Sequence, residues 1–278
     1  MKLIVESGAT KSTWVLIDQG TKIDTQILKG INPTSNPKSV NYITAYKLSD
    51  KHKITSIHFY GAGVSSLVAV DHLKKSIDAH FSCDTIELEH DIIAAARSVS
   101  AGKKSIVSIL GTGTNTVVFD GIKVIQSFKA LGYMFADYGS GFHIGKELLR
   151  SYYGHKMNEE DKTKFKANYI DDKSDLLFRI YNSERPNFET AQLSKFLDSA
   201  SKDLKTKILD ICFSSFFENQ ILPIEDHQLI PLNFVGSIAA VFEEDLRRVA
   251  SNYGVEISNI EGNPIDGLLD YHTTEFIN

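Results

Sequence analysis

The chain has 278 residues, of which 42% are hydrophobic and 23% are charged, and its formal net charge is −5. These values are typical of a soluble globular protein, and the length suggests about two domains. No basic stripe indicates a nucleic-acid partner, and the apolar runs are too short to span a bilayer, so neither a nucleic acid nor a membrane is an expected partner. Cys83 and Cys212 lie far apart and predict free thiols in a cytoplasmic protein, which agrees with an N-terminus that lacks a signal-peptide pattern.

The first elements form a pattern that returns later in the chain. Leu3–Ile27 (LIVESGATKSTWVLIDQGTKIDTQI) and Ile106–Phe128 (IVSILGTGTNTVVFDGIKVIQSF) each contain an apolar strand, a Gly/Thr loop, a second strand, a glycine turn and a third strand. Asp120-Gly121 is a strong hairpin signal, and Gln19-Gly20 occupies the matching place in the first copy. The sequence therefore predicts one three-stranded meander, duplicated at the scale of a domain.

Helices and strands alternate between the two copies. A helix is predicted over Pro37–Ser49, a strand at TSIHFYG, a helix with apolar spacing over Ser65–Phe81, and a strand at TIELEH. Asp91 then opens the helix IIAAARSV.

After the second copy, a Gly-rich start leads into the helix GSGFHIGKELLRSYY. The polar stretch from Met157 to Ser174 predicts a helix or loop on the surface, and residues 156–233 carry no functional signal. Helical patterns continue through Ile180, Leu193–Leu209 and Ile211–Ile221. NFVGSIAAVFEEDLRRVA predicts a strand, a Gly-Ser turn and an amphipathic helix.

The loop SGATKS follows a strand and contains Gly8, Thr10 and Ser12. Small residues allow backbone N–H groups to approach a phosphate, although neither the P-loop pattern nor G-x-G-x-x-G is present. A single loop of this kind is best interpreted as a plain hairpin turn. Two such loops, GATKS and GTGTN, in equivalent places of two repeats favour phosphate binding.

The segments VESGATKSTW, GINP, HDIIAAARS, ILGTGTNT, LGYMFADYGSGFHIGKELL, FVGSIA and NPIDGLLDYH occur in this order along the chain. As an ordered set they resemble the N-acetylglucosamine kinase family, within the superfamily of actin, sugar kinases and heat-shock ATPases. The ATPase activators of 2-hydroxyacyl-CoA dehydratases are related. The resemblance implies an α/β fold of two duplicated actin-like (ribonuclease H-like) domains with an ATP cleft between them. The expected limits are 1–104, 105–264 and a C-terminal helix, 265–278, that packs back on the first domain through Gly267.

The activity that this resemblance implies is ATP-dependent phosphorylation of the 6-hydroxyl of N-acetylglucosamine or a related amino sugar. It implies ATP and Mg²⁺ as cofactors and a homodimer as the assembly. Glu6 would hold hydrated magnesium near the phosphates, because a buried carboxylate at a strand end needs a partner. Asp91 would be the general base, although Asp is also a favoured helix N-cap.

Residues of both repeats would contact the nucleotide by the same resemblance. Those next to the phosphates are Gly8, Thr10, Lys11, Thr112 and Gly113. For Lys11, simple exposure to solvent is an equally good interpretation. Gly236, Ser237 and Ala240 would lie against the adenosine, but a plain strand-to-helix turn is equally consistent with the residues alone.

The sugar would be bound by Asn32, Thr114, Asn115, Gly132 and Asp137. Asn32 could instead be only a turn residue before proline, and Asp137 could be an N-cap. The usual family pattern is Gly-Asp-Glu-Gly-Ser, whereas here Ala136 and Tyr138 flank Asp137, which puts the identity of the sugar in doubt. His90 and His143 are expected to be hydrogen-bonded structural histidines.

Two other functions compete with a sugar kinase. An ATPase activator would need cysteines beside the second hairpin or its following helix for an iron–sulfur cluster, and Cys83 and Cys212 do not lie there. A nucleotide-dependent switch or sugar sensor without catalysis fits Glu6, Ala136 and Tyr138, but the presence of Asp91 argues against it.

Overall fold

The computed structural model describes residues 1–8, 11–49, 53–128, 131–170 and 175–273. The chain forms two compact units. The first contains Met1–Lys103, Asp120–Val124 and the described part of Asn263–Asn278, and the second contains Lys104–Phe119 and Ile125–Gly262. Within the described residues, no helix has the length and apolar character that a membrane crossing requires. The domain limits expected at residues 104 and 264 stay a prediction.

Each unit contains a five-stranded mixed sheet. The strands are β1 Lys2–Ser7, β2 Lys11–Asp18, β3 Thr21–Lys29, β4 Ser56–Gly61, β5 Thr85–His90, β6 Ser105–Leu110, β7 Thr114–Phe119, β8 Val124–Ser127, β9 Leu232–Val235 and β10 Ile257–Glu261. The strand order is β3-β2-β1-β4-β5 in one sheet and β8-β7-β6-β9-β10 in the other. In both sheets the first strand of the meander pairs antiparallel with the second and parallel with a later strand. The duplicated α/β fold predicted from the repeat is therefore confirmed.

The helices connect and cover these strands. They are α1 Leu67–His80, α2 Asp91–Val99, α3 Gly141–Tyr153, α4 Glu159–Tyr169, α5 Leu176–Tyr181, α6 Pro186–Gln192, α7 Lys202–Phe216, α8 Ser237–Val241, α9 Glu243–Asn252 and α10 Ile265–Thr273. In the first unit α10 packs against α2, where a Cβ added to Gly267 would lie 2.4 Å from the Ser98 carbonyl oxygen. Only glycine allows this close approach.

The turn between β2 and β3 follows from its two residues. Gln19 and Gly20 both have positive φ, 45° and 82°, and Asp18 pairs directly with Thr21. A two-residue loop with positive φ at both positions has the twist that a tight hairpin needs. The glycine turn predicted from the first repeat therefore lies where the sequence placed it.

Each unit has its own core. In the first unit Trp14 stacks on Tyr46 with ring centroids 5.2 Å apart and is fully buried. In the second unit, a larger cluster joins strands β6 and β9 to helices α3, α4 and α7 and includes Phe165, Phe213 and Phe216. These cores keep the ends of the central strands in fixed positions.

Several local predictions require correction. The helix predicted over Pro37–Ser49 is a 3₁₀ helix that ends at Ala45, because the chain becomes extended at Tyr46. The Met157–Ser174 stretch is not purely a surface segment, since Phe165 and Asp161 of α4 are completely buried. Asp161 is satisfied there by Asn158 Nδ2 and by the Ser201 backbone N–H and hydroxyl. Strand β10 and helix α6 were not predicted, because short segments carry little periodicity.

Candidate active site

The hairpin between β1 and β2 presents the first phosphate-binding candidates. Gly8 N–H donates to the Lys11 carbonyl oxygen at 3.1 Å, which closes a tight loop, and the Lys11 side chain is exposed. The predicted contact of Thr10 lies outside the described residues. Lys11 is the first residue of β2, and an exposed cation there can interact with an anionic ligand.

Asp91 and Glu6 lie at the carboxyl ends of the parallel strands of the first sheet. Strands β1, β4 and β5 run parallel, and their last residues Ser7, Gly61 and His90 are in register. Because ligands of α/β sheets bind beyond the carboxyl ends of the strands, this edge is the expected place for chemistry. Asp91 is the first residue of α2, and the N-cap is His90. The N-cap interpretation of Asp91 is therefore wrong, and its carboxylate is available for another role.

The charge of Asp91 affects Glu6. Burial, followed by the negative charge of Asp91, raises the pKa of Glu6 to about 7, and the positive charge of Lys11 opposes this shift. A buried carboxyl beside a second carboxylate is an arrangement that costs free energy in the absence of a cation. Such pairs are typical of functional sites.

Asn32 is attached to the same strand end. Ile31 N–H donates to Ser7 Oγ at 2.8 Å, and that hydroxyl donates to the Ile31 carbonyl oxygen at 3.1 Å. The Asn32 Oδ1 atom accepts from the backbone N–H groups of Thr34 and Ser35. Asn32 therefore stabilises a turn, as one interpretation of its sequence position indicated. This use of Oδ1 leaves the Asn32 Nδ2 group as the part that can donate to a ligand.

The second hairpin, Gly111–Thr114, lies at the end of β6. Gly111 N–H donates to the Gly113 carbonyl oxygen at 3.0 Å, which folds the loop on itself. Among the hydrogen bonds between described residues, none comes from the backbone N–H of Thr112 or Gly113. These two donors suit an incoming phosphate oxygen.

The N-terminus of α3 does not provide such donors. Gly141 N–H donates to the Gly111 carbonyl oxygen at 2.8 Å, and Phe142 N–H donates to that of Thr112 at 3.1 Å. The next N–H, from His143, is capped by Ser140 Oγ. The helix therefore holds the loop in place with the groups that would otherwise bind an anion.

Gly236 follows β9, at the carboxyl end of the parallel strands β6 and β9 of the second sheet. Strands β6 and β9 are parallel, with Ile109 opposite Val235. Gly236 has a φ of 123°, and a Cβ there would lie 2.4 Å from the Leu110 carbonyl oxygen. Only glycine fits this position. It leads into α8, whose Ser237 and Ala240 are exposed.

Asp137 lies against the second hairpin. The Thr114 N–H donates to its Oδ1 at 3.3 Å, and a Cβ added to Gly113 would lie 2.7 Å from its Oδ2. Its φ is 59°, in the left-handed region. Burial raises the pKa of Asp137 above the ordinary value, while the Thr114 N–H opposes this. The N-cap interpretation of Asp137 is wrong, because Ser140 caps α3.

The Asp137 segment is fixed by its neighbours. The Thr114 hydroxyl donates to the Tyr138 carbonyl oxygen at 2.7 Å, and the Ser140 hydroxyl donates to that of Asp137 at 2.6 Å. Gly139 N–H donates to His143 Nδ1, and burial lowers the pKa of His143 to about 4. His143 is therefore neutral near pH 7 and is the hydrogen-bonded structural residue that the sequence indicated.

Tyr138 packs against the core of the second unit, with its ring centroid 6.2 Å from that of His143. Gly132, with a φ of 73°, begins the turn before Asp137 and accepts from the N–H groups of Phe135 and Ala136. Asn115 lies on β7 opposite Ile109. Positioning residues such as Ser140 were not predicted from the sequence, although the Ser-x-x-His spacing is close to a capping box.

The potential metal ligands and the two cysteines of the described residues are dispersed. The described residues contain no group of three or more His, Cys, Asp or Glu side chains that could hold a metal ion. Cys212 is buried, and burial raises its pKa well above the usual value. Cys83 lies in the first unit, so the two thiols do not form a pair within either unit.

Solved structures resemble the whole chain. A candidate N-acetylglucosamine kinase from Porphyromonas gingivalis is 27% identical, with a TM-score of 0.90 over 100% of both chains. A second one, from Chromobacterium violaceum, is 14% identical, with a TM-score of 0.75 over 97% of this chain and 98% of that chain. A ROK family glucokinase from Streptomyces griseus, solved with glucose and AMPPNP, is 14% identical, with a TM-score of 0.59 over 97% of each chain.

No protein-family model and no curated protein matches the sequence. The Porphyromonas gingivalis structure nevertheless confirms the resemblance to the N-acetylglucosamine kinases that the ordered motifs predicted. The two structures at 14% identity show the same fold.

Proposed function

We propose that the protein is an ATP-dependent sugar kinase that phosphorylates the 6-hydroxyl of N-acetylglucosamine or a related amino sugar. The single observation that carries the proposal is the pair of carboxylates, Glu6 and Asp91, at the carboxyl edge of the first sheet. The similarity to a candidate N-acetylglucosamine kinase over the whole chain supports it.

Asp91 acts as the general base. The sugar hydroxyl oxygen attacks the γ-phosphorus of ATP, and a new oxygen–phosphorus bond forms. The bond from the γ-phosphorus to the bridging oxygen breaks, and ADP leaves with the electron pair. The hydroxyl proton passes to the Asp91 carboxylate and then to water.

Each unit has its own proposed ligands for the nucleotide. In the second unit the free N–H groups of Thr112 and Gly113 are the proposed phosphate donors, and in the first unit Gly8, Thr10 and Lys11 are the proposed phosphate ligands. Gly236, Ser237 and Ala240 lie against the adenosine. The fixed Gly111–Thr114 loop supports this role, because donors that are already oriented stabilise developing charge without reorganising.

Glu6 suits a hydrated Mg²⁺ ion. Its raised pKa and the nearby Asp91 charge are both relieved by a cation, and Mg²⁺ prefers one or two carboxylates with several waters and substrate phosphates. When bound, Mg²⁺ neutralises charge on the phosphate oxygens. Glu6 would hold it through water.

Sugar ligands are proposed separately in each unit. In the first unit Asn32 is a donor through Nδ2. In the second unit Asp137 is an acceptor, and Asn115, Thr114 and Gly132 are the other proposed sugar ligands. The buried Asp137 carboxylate supports the proposal, because a desolvated acceptor gains from each hydroxyl that reaches it. A homodimer in the cytoplasm is part of the same proposal and rests on the family resemblance alone.

The test is a coupled assay of ADP release with Mg-ATP and a panel of sugars. The panel contains N-acetylglucosamine, glucosamine, N-acetylmannosamine, glucose and a sample without sugar. Asp91→Asn is expected to lower kcat by about 10²–10⁴-fold, the usual contribution of a general base. Asp78→Asn, an exposed position on α1, is the matched control. ADP release that is equal with and without every sugar would contradict the proposal and favour a switch or sensor.

A further inference from the structure

His90 is the last residue of β5 and directly precedes Asp91. Its Nδ1 atom lies 2.5 Å from Asp91 Oδ1, and the two side chains are 33% and 30% exposed. Neighbouring residues in a chain usually point apart, so a contact this short is a specific local arrangement. It joins an imidazole to the carboxylate that the proposed function uses as a base.

The Asp91 carboxylate is the nearer polar partner of His90 Nδ1. The Ile92 N–H also faces the Nδ1 atom, but at 3.5 Å, which is too long for a strong helix cap. Asp91 Oδ1 is a buried atom with no regular hydrogen bond among the described residues, so the 2.5 Å approach of His90 Nδ1 is the polar contact that it has there, and this contact is an ion pair when the imidazole is protonated. Asp91 raises the pKa of His90, and burial opposes this shift.

This contact makes the two oxygens of the Asp91 carboxylate unequal. Oδ1 is held by His90, so rotation of the carboxylate about its last bond is restricted. Oδ2 is left to accept a proton. A base that is already held in its reactive orientation does not lose rotational entropy when the reaction occurs.

We propose that His90 is a positioning residue that holds Asp91 Oδ1, so that Oδ2 faces the acceptor hydroxyl. The inference rests on the proposed function of Asp91 as a base. It assigns to His90 a part that a helix N-cap alone would not have.

Two substitutions separate positioning from capping. In His90→Asn, the side-chain amide reaches the place of Nδ1, so both a donor and a good N-cap are present. In His90→Ser, the hydroxyl can cap the helix. The serine Oγ is one bond nearer to the backbone than the histidine Nδ1, so it does not reach Asp91 Oδ1. His72→Ala, at an exposed position on α1, is the control for loss of a histidine.

With the sugar that the panel identifies, His90→Ser is expected to lower kcat about tenfold or more, while the KM for ATP and the melting temperature stay unchanged. His90→Asn is expected to recover most of the lost rate. A wild-type kcat in His90→Ser would overturn the proposal, and so would an equal loss in both variants.

A second measurement does not depend on kinase activity. The imidazole of His90 is titrated by NMR in the wild-type protein and in Asp91→Asn, without nucleotide. The pKa of His90 is expected to fall in Asp91→Asn, because its carboxylate partner is lost. An unchanged pKa would overturn the pairing even in an active kinase. If no sugar is phosphorylated but the pKa falls, the pairing stands and only the proposed function fails.

Discussion

Glu6 on β1 and Asp91 at the start of α2 form a pair of carboxyl groups in which the charge of Asp91 adds to burial in raising the pKa of Glu6. The pair combines two residues that are far apart in sequence. Glu6 follows the apolar residues of β1, and the pair gives this acidic residue a role, because a cation bound there would interact with both carboxylates.

The dependence of activity on magnesium tests this pair. Glu6→Gln removes the charge that would attract the hydrated ion. The Mg²⁺ concentration for half-maximal activity is expected to rise about tenfold, as for other groups that hold a metal indirectly. Glu6→Asp keeps the charge and is the matched control. Identical magnesium dependence in all three proteins would contradict the role of Glu6.

Gly113 provides a test of Asp137. In Gly113→Ala the new methyl group would lie 2.7 Å from Asp137 Oδ2, so the carboxylate has to move. The KM for the sugar is expected to rise about tenfold, which corresponds to one lost hydrogen bond. Gly111→Ala adds the same methyl group where no atom lies within 4 Å, and it is the control for stability of the loop. A sugar KM that is unchanged in Gly113→Ala would show that Asp137 does not bind the sugar.

The hydroxyl of Thr114 can be removed without changing the size of the side chain. Thr114→Val loses the hydrogen bond to the Tyr138 carbonyl oxygen and is expected to cost about 1 kcal/mol of stability. Calorimetry measures this loss, and the sugar KM is expected to rise with it, because the Asp137 segment loosens. Thr114→Ser keeps the hydroxyl and should behave like the wild type. If valine and serine had equal effects, the hydrogen bond would not be what fixes this segment.

A buried polar cluster near α10 makes the first unit sensitive to acid. Tyr60 accepts from Arg97 at 2.6 Å, and its hydroxyl lies 2.9 Å from His272 Nε2. Burial lowers the pKa of His272 to about 3, with repulsion from His58 as the next cause. In the unfolded chain this histidine takes up a proton below about pH 6.5, whereas in the folded chain it does so only near pH 3. Stability therefore falls as the pH is lowered from 6.5, by up to about 1.4 kcal/mol per pH unit.

His272→Gln keeps an acceptor for Tyr60 but does not titrate. Urea denaturation followed by the fluorescence of Trp14, the single tryptophan and a core residue of the first unit, reports the relevant stability. Between pH 7.5 and 5.5 the wild type is expected to lose about 1 kcal/mol more than His272→Gln. His143, whose pKa is lowered to about 4, and Glu87, whose pKa is lowered to about 2, are present in both proteins, so their contributions cancel. Parallel pH profiles would rule out His272 as the sensitive group.

The repeat of strand, Gly/Thr loop and strand determined the duplicated fold by itself, because alternating apolar runs and glycine turns depend on nearby residues. The same local signals indicated the two hairpins, the position of Glu6 near the end of β1 and that of Asp91 directly after β5. Local patterns were less reliable at helix ends. His90 rather than Asp91 occupies the N-cap position of α2, and Ser140 rather than Asp137 caps α3, because the N-cap position depends on where the preceding backbone turns.

Only the tertiary structure decided which side-chain groups are free. Asn32 Oδ1 is used in a turn, the N–H groups at the start of α3 bind the Gly111–Thr114 loop, and Asp137 packs on Gly113. Each of these contacts joins separate backbone segments, and a hydrogen bond between distant groups leaves no periodic signal in the chain. The same reason explains the raised pKa of Glu6, since desolvation and the charge of Asp91 exist only after the strands and helix have packed.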